Sequence, residues 1–177
     1  MNETHSTGPY YGKYRGTVVN NIDPMLVGRL LVTVPDVLGI TPSSWAVPCV
    51  PLAGPTGPPM GVYLVPPIGA AVWIEFEQGN PDYPIWVGCR WGAMSDVPSV
   101  ARLGLPISPS IVLQTAGQNT IAISDLPGPT GGIMLKSTTG AMILVNDIGI
   151  TISNGKGAMI TMLGPAVTVN NGALTVI

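Results

Sequence analysis

The last third of the chain alternates apolar and polar residues, and the alternating segments return at a fixed spacing. The run Gly140-Ala-Met-Ile returns as Gly157-Ala-Met-Ile after 17 residues, and Ile150-Thr-Ile-Ser returns as Val167-Thr-Val-Asn after the same interval. An apolar residue at every second position is typical of a strand with one covered face. The pattern predicts pairs of short strands joined by turns, repeated along residues 111–177.

Aligning the copies produces four apolar columns. The copy that begins at Ile111 lies 22 residues before the copy that begins at Ile133, and the five extra residues fall in the Pro/Gly-rich loop 126–132, where an insertion costs little. Polar residues such as Thr151 and Thr168 stand between the column positions. The columns are Ile111, Ile133, Ile150 and Val167; Leu113, Leu135, Ile152 and Val169; Ile121, Ile143, Ile160 and Ile177; and Ile123, Val145 and Met162.

A unit of two short strands cannot bury its apolar face alone, so it has to stack on neighbours. Three such ribbons wound about one axis bury all three faces. We therefore expect a trimeric, intertwined β-prism needle whose core is formed by the column residues, Ile177 excepted. A single-chain β-helix is disfavoured because its coils need more residues to enclose a core. An ordinary antiparallel meander does not account for the regular 17-residue return.

Residues 14–92 contain short apolar segments separated by turn-forming residues, which favours a small closed barrel over a sandwich. Residues 1–13 are predicted to form an arm, and the proline-containing residues 93–110 a connector with one short helix in Val97–Leu103. The predicted strands of the barrel are Tyr14–Asn20, Arg29–Val34, Trp45–Leu52, Val62–Val65, Ala70–Phe76 and Ile85–Cys89.

Composition indicates that other chains cover much of the surface. Charged residues make up 9% of the chain and hydrophobic residues 46%, and the charged share is about a third of the usual value. The net charge is −2 and the basic residues are scattered singly, which argues against a nucleic-acid partner. The chain has no apolar run long enough to span a membrane and its first residues carry no signal-peptide pattern, so we expect cytoplasmic synthesis and assembly.

Candidate catalytic and metal-binding residues are sparse. Glu75, Glu77 and Asp82 form the densest acidic group; paired-carboxylate catalysis is conceivable, but we favour a solvated strand face and a turn capped by Asp82. The one histidine, His5, lies in the arm, so no Ser–His–acid set is expected. Cys49 and Cys89 either form a disulfide or, as we favour, are two buried thiols. We expect no catalytic residue, metal ion or cofactor.

Two further features leave alternatives open. The tryptophans Trp45, Trp73, Trp86 and Trp91 offer a stacking surface for bases or sugars, although core and interface packing fits the low positive charge better. The segment Pro51–Gly61, rich in proline and glycine, is either a mobile loop or a contact with another protein or a neighbouring protomer, and the residues favour neither.

The first half resembles the baseplate assembly protein V and VgrG spike family of contractile phage tails, type VI secretion systems and extracellular injection systems. The ordered set of motifs that carries the resemblance covers most of residues 12–92, and the segment from Gln114 to Asp125 is similar to the start of the family's β-helical needle. The motifs are Gly28-Arg-Leu-Leu-Val-Thr-Val-Pro35, Trp45-Ala-Val-Pro48, Pro66-Pro-Ile-Gly-Ala-Ala-Val-Trp-Ile-Glu-Phe-Glu77 and Gly79-Asn-Pro-Asp-Tyr-Pro-Ile-Trp-Val-Gly88.

The resemblance implies an OB-fold followed by a threefold needle that sits under a hub and tube and pierces a target envelope when a sheath contracts. It places the protein in a virion tail or injection-machine baseplate, with transient membrane contact. Asn80 stands where many relatives have Asp, a mild change in a turn. The His-x-His apex that binds iron in some short phage spikes is missing, because His5 lies at the other end of the chain.

The C-terminus predicts a docking site for a tip protein. The sequence ends in Ala173-Leu-Thr-Val-Ile177, still within the repeat pattern, and a bare last rung exposes apolar side chains and strand edges. We expect Leu174, Val176 and Ile177 to bind a separate cap, and the resemblance implies a PAAR-type cone. The competing interpretation is a frayed chain end. The competing function is an OB-fold module that binds single-stranded nucleic acid or glycan on a repetitive stalk.

The four columns predict the assembly state directly. Because the ribbon has no second face to cover them, we expect a stable homotrimer of about 55 kDa, three times the chain mass of 18.3 kDa. Multi-angle light scattering measures this mass, and a stable monomer contradicts the prism.

Overall fold

The computed structural model describes residues 9–54, 58–104 and 106–176. The chain divides into two compact units, Met1–Gly92 and Ala93–Ile177. The described residues are almost entirely β-structure and turns. Helical segments are limited to one short α-helix, α1 (Pro35–Leu38), and single 3-10 turns at Glu77–Gly79, Met94–Asp96, Ser99–Arg102, Gly128–Thr130 and Asn170–Gly172.

The first unit is a sheet that closes on itself. Its five main strands follow the order β2-β1-β6-β7-β3. The ring closes at Leu30 and Ala46, which exchange both backbone hydrogen bonds at 3.1 and 2.7 Å between the strand segments that contain β2 and β3. The strands are β1 (Tyr14–Asn20), β2 (Leu31–Thr33), β3 (Val47–Pro48), β4 (Ala53–Gly54), β5 (Met60–Gly61), β6 (Ala71–Phe76) and β7 (Pro84–Cys89).

Alternation along the barrel strands creates the core. In β6, Val72, Ile74 and Phe76 point inward while the residues between them are half-exposed, as a period of two requires. The indole Nε1 of Trp86 donates to the carbonyl of Gly28 at 3.0 Å, so the largest core side chain also has its polar atom satisfied. The core residues are Val18, Leu30, Val32, Val34, Ala46, Val72, Ile74, Phe76 and Trp86.

Some sequence expectations for the elements and thiols of this unit were wrong. Val62–Val65 forms no strand beyond one hydrogen bond, which the Val62 N–H donates to the Leu52 carbonyl at 3.0 Å. The segment after β2, expected to be a turn, starts with the helical turn α1. Cys49 and Cys89 are exposed free thiols rather than buried ones.

The Pro51–Gly61 segment folds into a small hairpin. Strands β4 and β5 pair through Ala53 with Gly61 and Gly54 with Met60, and most of the described residues are exposed. Residues 55–57 lie outside the described residues. Both interpretations of this segment stay predictions.

The second unit is an antiparallel meander of eight strands. Each strand pairs with the next one along the chain, and the order is β15-β14-β13-β12-β11-β10-β9-β8. The strands are β8 (Ile111–Gln114), β9 (Thr120–Ser124), β10 (Gly132–Lys136), β11 (Met142–Val145), β12 (Ile150–Ser153), β13 (Met159–Leu163), β14 (Ala166–Val169) and β15 (Leu174–Val176).

A meander is the topology that the sequence argument set aside, and it appears here within one chain. The 17-residue return holds for Ile143 and Ile160, but it fails at the last strand. The 3-10 turn after β14 is short, so Leu174, only 14 residues after Ile160, pairs with Val169. The third column therefore continues at Leu174, whereas Ile177 lies outside the described residues.

The connector is held by single helical turns rather than by a regular helix. The predicted helix at Val97–Leu103 is the 3-10 turn Ser99–Arg102, which contacts β8. The proline-rich stretch that follows has no strand up to Ile111 in its described part.

Candidate functional site: the uncovered face of the sheet

Cross-strand register joins the apolar residues of the second unit into two unbroken ladders. Each ladder contains one residue from every strand of the meander, and all of these residues are apolar. The first is Ile111, Ile123, Ile133, Val145, Ile150, Met162, Val167 and Val176, and the second is Leu113, Ile121, Leu135, Ile143, Ile152, Ile160, Val169 and Leu174. We call these two ladders the needle face.

The needle face is open to solvent in the single chain. Its exposed fraction is 68% at Ile111 and still 41% at both Ile143 and Ile152, in the middle of the sheet. Soluble monomers rarely leave a contiguous apolar patch of this extent uncovered, and such patches mark sites of association. All residues predicted for the trimer core lie on this face; their burial in a trimer stays a prediction.

The opposite face changes character along the sheet. Its central ladder contains Val112, Ala122, Met134 and Leu144, then the threonines Thr151, Thr161, Thr168 and Thr175. The hydroxyls of Thr161 and Thr168 are 2.5 Å apart. A uniformly polar outer face was not found, because Ala122 is buried and its apolar neighbours are half-buried.

The dimensions of the sheet fit a needle. Strands in a sheet lie about 4.8 Å apart, so eight strands span about 34 Å between the first and the last. Adjacent strands rotate by roughly 20–25°, so the seven steps accumulate to roughly 140–175° of twist. Three such sheets that meet at their apolar faces would therefore wind around one another even though each chain supplies one continuous sheet.

The last strand combines both features that the tip prediction requires. Leu174 is exposed, and β15 pairs on one side only, with β14. Leu174 and Val176 also occupy ladder positions, so they extend the needle face as well as ending it. Ile177 falls outside the described residues.

A second organised site lies in the loop between β1 and β2, and the sequence analysis missed it. The carboxylate of Asp23 is buried and accepts the backbone N–H groups of Met25, Val27 and Arg29 at 3.0–3.2 Å. Its Oδ1 also accepts the Arg29 Nε and Nη2 at 3.0 and 2.6 Å. The turn signal around Pro24 and the lone Arg29 were visible in sequence, but nothing in sequence pairs them.

The Asp23 network holds an apolar loop in solvent. Ile22, Met25, Leu26 and Val27 are all at least half-exposed, and Leu26 has a positive φ of 58°, a conformation that leucine rarely adopts. The Arg29 guanidinium beside Asp23, with the backbone N–H groups, holds the pKa of that carboxyl well below its usual range. The charged form of Asp23 is therefore part of the folded barrel.

The acidic group predicted from sequence does not assemble into a site. Glu75 is paired with Lys13 at 2.5 Å, and Glu77 belongs to the 3-10 turn rather than to the strand, so the two do not share a strand face. The turn is capped by Asn80, whose Oδ1 accepts the Asp82 N–H at 3.0 Å; the expected cap by Asp82 was wrong. Asn and Asp side chains can both make this contact.

The tryptophans lie in different surroundings. Trp86 is buried in the barrel core, Trp91 is exposed, and Trp45 packs under the Arg29 guanidinium at 5.3 Å from the ring centroid. Among the described residues, no group of three or more His, Cys, Asp or Glu side chains is placed to hold a metal ion. No helix in that part of the chain is long and apolar enough to cross a membrane.

Comparison with family models agrees with both halves of the fold. A barrel followed by a sheet with one uncovered apolar face defines an OB-fold protein with an assembly domain. The model described as the type VI secretion system/phage-baseplate injector OB domain matches residues 14–91, and the model described as the phage baseplate V C-terminal trimerisation domain matches residues 110–175. A search of curated proteins finds no match.

The chain belongs to the phage baseplate V and VgrG-like spike family. The resemblance of the motifs and the all-β fold class are thereby confirmed. The protein is a structural component of a phage baseplate or injection machine, and its C-terminal domain makes it a homotrimer.

The needle face predicts opposite outcomes for neighbouring residues of β12. Ile152→Asp places three carboxylates at one level of the predicted trimer core, and a buried, unpaired charge costs several kcal/mol. Thr151→Asp, on the opposite face, is the matched control and is expected to cost less than about 1 kcal/mol. Light scattering at increasing denaturant concentration measures the loss of trimer in both variants. Equal loss in the two variants means that the faces are assigned wrongly.

The Asp23 network predicts an acid-sensitive barrel. Because the folded-state pKa is depressed, the stabilisation is complete above the ordinary carboxyl value of 3.8 and is lost as the pH falls below it. Asp23→Asn removes this pH dependence and lowers stability at neutral pH. All four tryptophans lie at or before Trp91, so tryptophan fluorescence during urea unfolding reports the stability of this unit. If Asp23→Asn leaves the acid sensitivity unchanged, the Asp23 network is not its cause.

Proposed function

We propose that the protein is a non-catalytic spike whose three needle faces close into one dry core, and that this needle pierces a target envelope when a sheath contracts. The observation that supports the proposal is the pair of unbroken apolar ladders. A strut loaded along its length needs paired strands and a continuous core rather than a reactive group. Every internal strand of the meander is hydrogen-bonded on both sides.

The alternative, a binding module for single-stranded nucleic acid or glycan, has less support. A stacking platform needs several exposed aromatic rings beside a basic groove. Here Trp86 is buried and Trp45 is covered by Arg29, and the chain carries a net charge of −2. Salt-dependent binding of a labelled oligonucleotide, or binding of an oligosaccharide, would favour the module.

The proposal places the protein between two partners. A hub lies at the barrel end under the tube, and a PAAR-type tip protein caps the C-terminal end. The β15 edge supports the second contact, since an unpaired edge accepts another chain by strand addition. Assembly in the cytoplasm and transient membrane contact belong to the same proposal.

Piercing is tested in assembled particles. After sheath contraction, particles with the unmodified chain or with Thr151→Asp are expected to make target cells leak small ions. Particles that assemble with Ile152→Asp, in spite of the weakened trimer, are expected to contract without leakage. Equal leakage from the Ile152→Asp particles contradicts a mechanical role for the needle.

Capping is tested by truncation. A chain ending at Asn171 lacks β15 but keeps the first seven strands of the meander, and the trimer is expected to lose binding to the tip protein in a pull-down. Thr175→Ser, which keeps the strand, is the control and should bind normally. Undiminished binding by the truncated trimer removes this terminus as the docking site.

A further inference from the structure

The barrel carries charges that its own fold leaves unpaired. Two ion pairs form within the described part of this unit, Lys13 with Glu75 and Arg29 with Asp23. The remaining cations are Arg15 and Arg90, and neither forms an ion pair with a described residue.

Arg15 and Arg90 line the same cavity. It has a volume of about 290 Å³ and is bounded by Arg15, Gly16 and Thr17 of β1, by Pro35 and Asp36 of α1, and by Arg90 after β7. The Arg90 Nε is buried and has no acceptor among the described residues, and an unmet buried donor is costly. With one carboxylate against two guanidinium groups, the cavity is suited to an additional carboxylate. We call it the arginine pocket.

Unpaired carboxylates lie at the far end of the same hairpin. Glu77 and Asp82 are exposed, and neither forms an ion pair with a described residue. Their turn is rigid: Asn80 caps the Asp82 N–H, and the Ser44 hydroxyl donates to the Asp82 carbonyl at 2.7 Å. We call Glu77–Asp82 the acidic turn.

Arg90 cannot reach the acidic turn of its own chain. Arg90 donates its N–H to Ala71, at the start of β6, whereas the acidic turn begins directly after Phe76, at its end. Six residues of extended chain span roughly 20 Å. Arg90 and the acidic turn can therefore be joined only between chains, and head-to-tail contacts of this kind close into a ring when three copies surround one axis.

We propose that the arginine pocket of one protomer receives the acidic turn of the next, so that three carboxylate–arginine contacts form a ring around the barrels. The site is incomplete without the neighbouring chain. This inference rests on the homotrimer and not on envelope piercing. It gives the barrels an attachment to one another that is separate from the needle face.

Zero-length cross-linking tests the contact in the full-length trimer. A carbodiimide joins amines to carboxylates but does not react with arginine, so the chain carries Arg15→Lys and Arg90→Lys. Trimers assembled from light and nitrogen-15-labelled chains are cross-linked and digested. We expect mixed-mass peptide pairs that join position 15 or 90 to Glu77 or Asp82 of another chain.

The chain supplies its own controls. The Lys13–Glu75 pair is expected to cross-link within one chain, which reports that the barrel is folded. Adding Glu77→Gln and Asp82→Asn should abolish the mixed-mass link and keep the Lys13 link. A pocket link found only within one chain, or absent while the Lys13 link forms in a confirmed trimer, overturns the proposal. A monomer in light scattering overturns the trimer itself.

Charge exchange provides a second measurement that does not need lysine at the pocket. Arg15→Glu with Arg90→Glu, or Glu77→Arg with Asp82→Arg, should each lower the melting midpoint of the barrels, followed by tryptophan fluorescence. The four changes together should restore most of that loss. Lys136→Glu with Lys156→Glu, in the needle unit, is the control and should leave the midpoint unchanged. Additive losses in the fourfold variant overturn the proposal.

Discussion

The structure depends on one constraint: the meander has a continuous apolar face that its own chain cannot cover. Sixteen ladder positions are apolar without interruption, and the residues at the centre remain about two-fifths exposed. Water contact over such a face is unfavourable in proportion to its area. Two copies alone would form a two-layer sandwich, whereas three twisted sheets enclose an axis. The match to a trimerisation domain favours the arrangement of three sheets.

The two units solve the problem of burial in different ways. The barrel closes its own sheet and buries its own core around Trp86 and Phe76, so that core needs no second chain to cover it. All ten aromatic residues lie in that half, and residues 111–177 contain none. A core of aliphatic, mostly β-branched side chains packs close to an axis, where bulky rings would force the sheets apart. The composition of the needle therefore matches a slender structure.

Sequence patterning predicted the strand alternation of the needle and the existence of a small barrel, because both follow from local periodicity. It identified the residues of the needle face, since alternation places Ile143 and Ile152 on the same side. It did not predict that Leu174 takes the place assigned to Ile177, because that shift depends on the length of one 3-10 turn. Nor did it predict the Asp23 network or the arginine pocket, which depend on side chains that tertiary folding brings together. Burial of the thiols was wrong because Cys49 and Cys89 lie at strand ends of a barrel too small to cover them.

The consecutive pairing of the strands has a consequence for how such proteins change over time. Because each strand contacts only the strands before and after it, duplication or loss of one repeat leaves every other pairing intact. Each repeat of two strands changes the length of the sheet by about 10 Å. The number of repeats therefore sets the length of the sheet. One recombination event that adds or removes a repeat can therefore lengthen or shorten the sheet without changing the strands at either end.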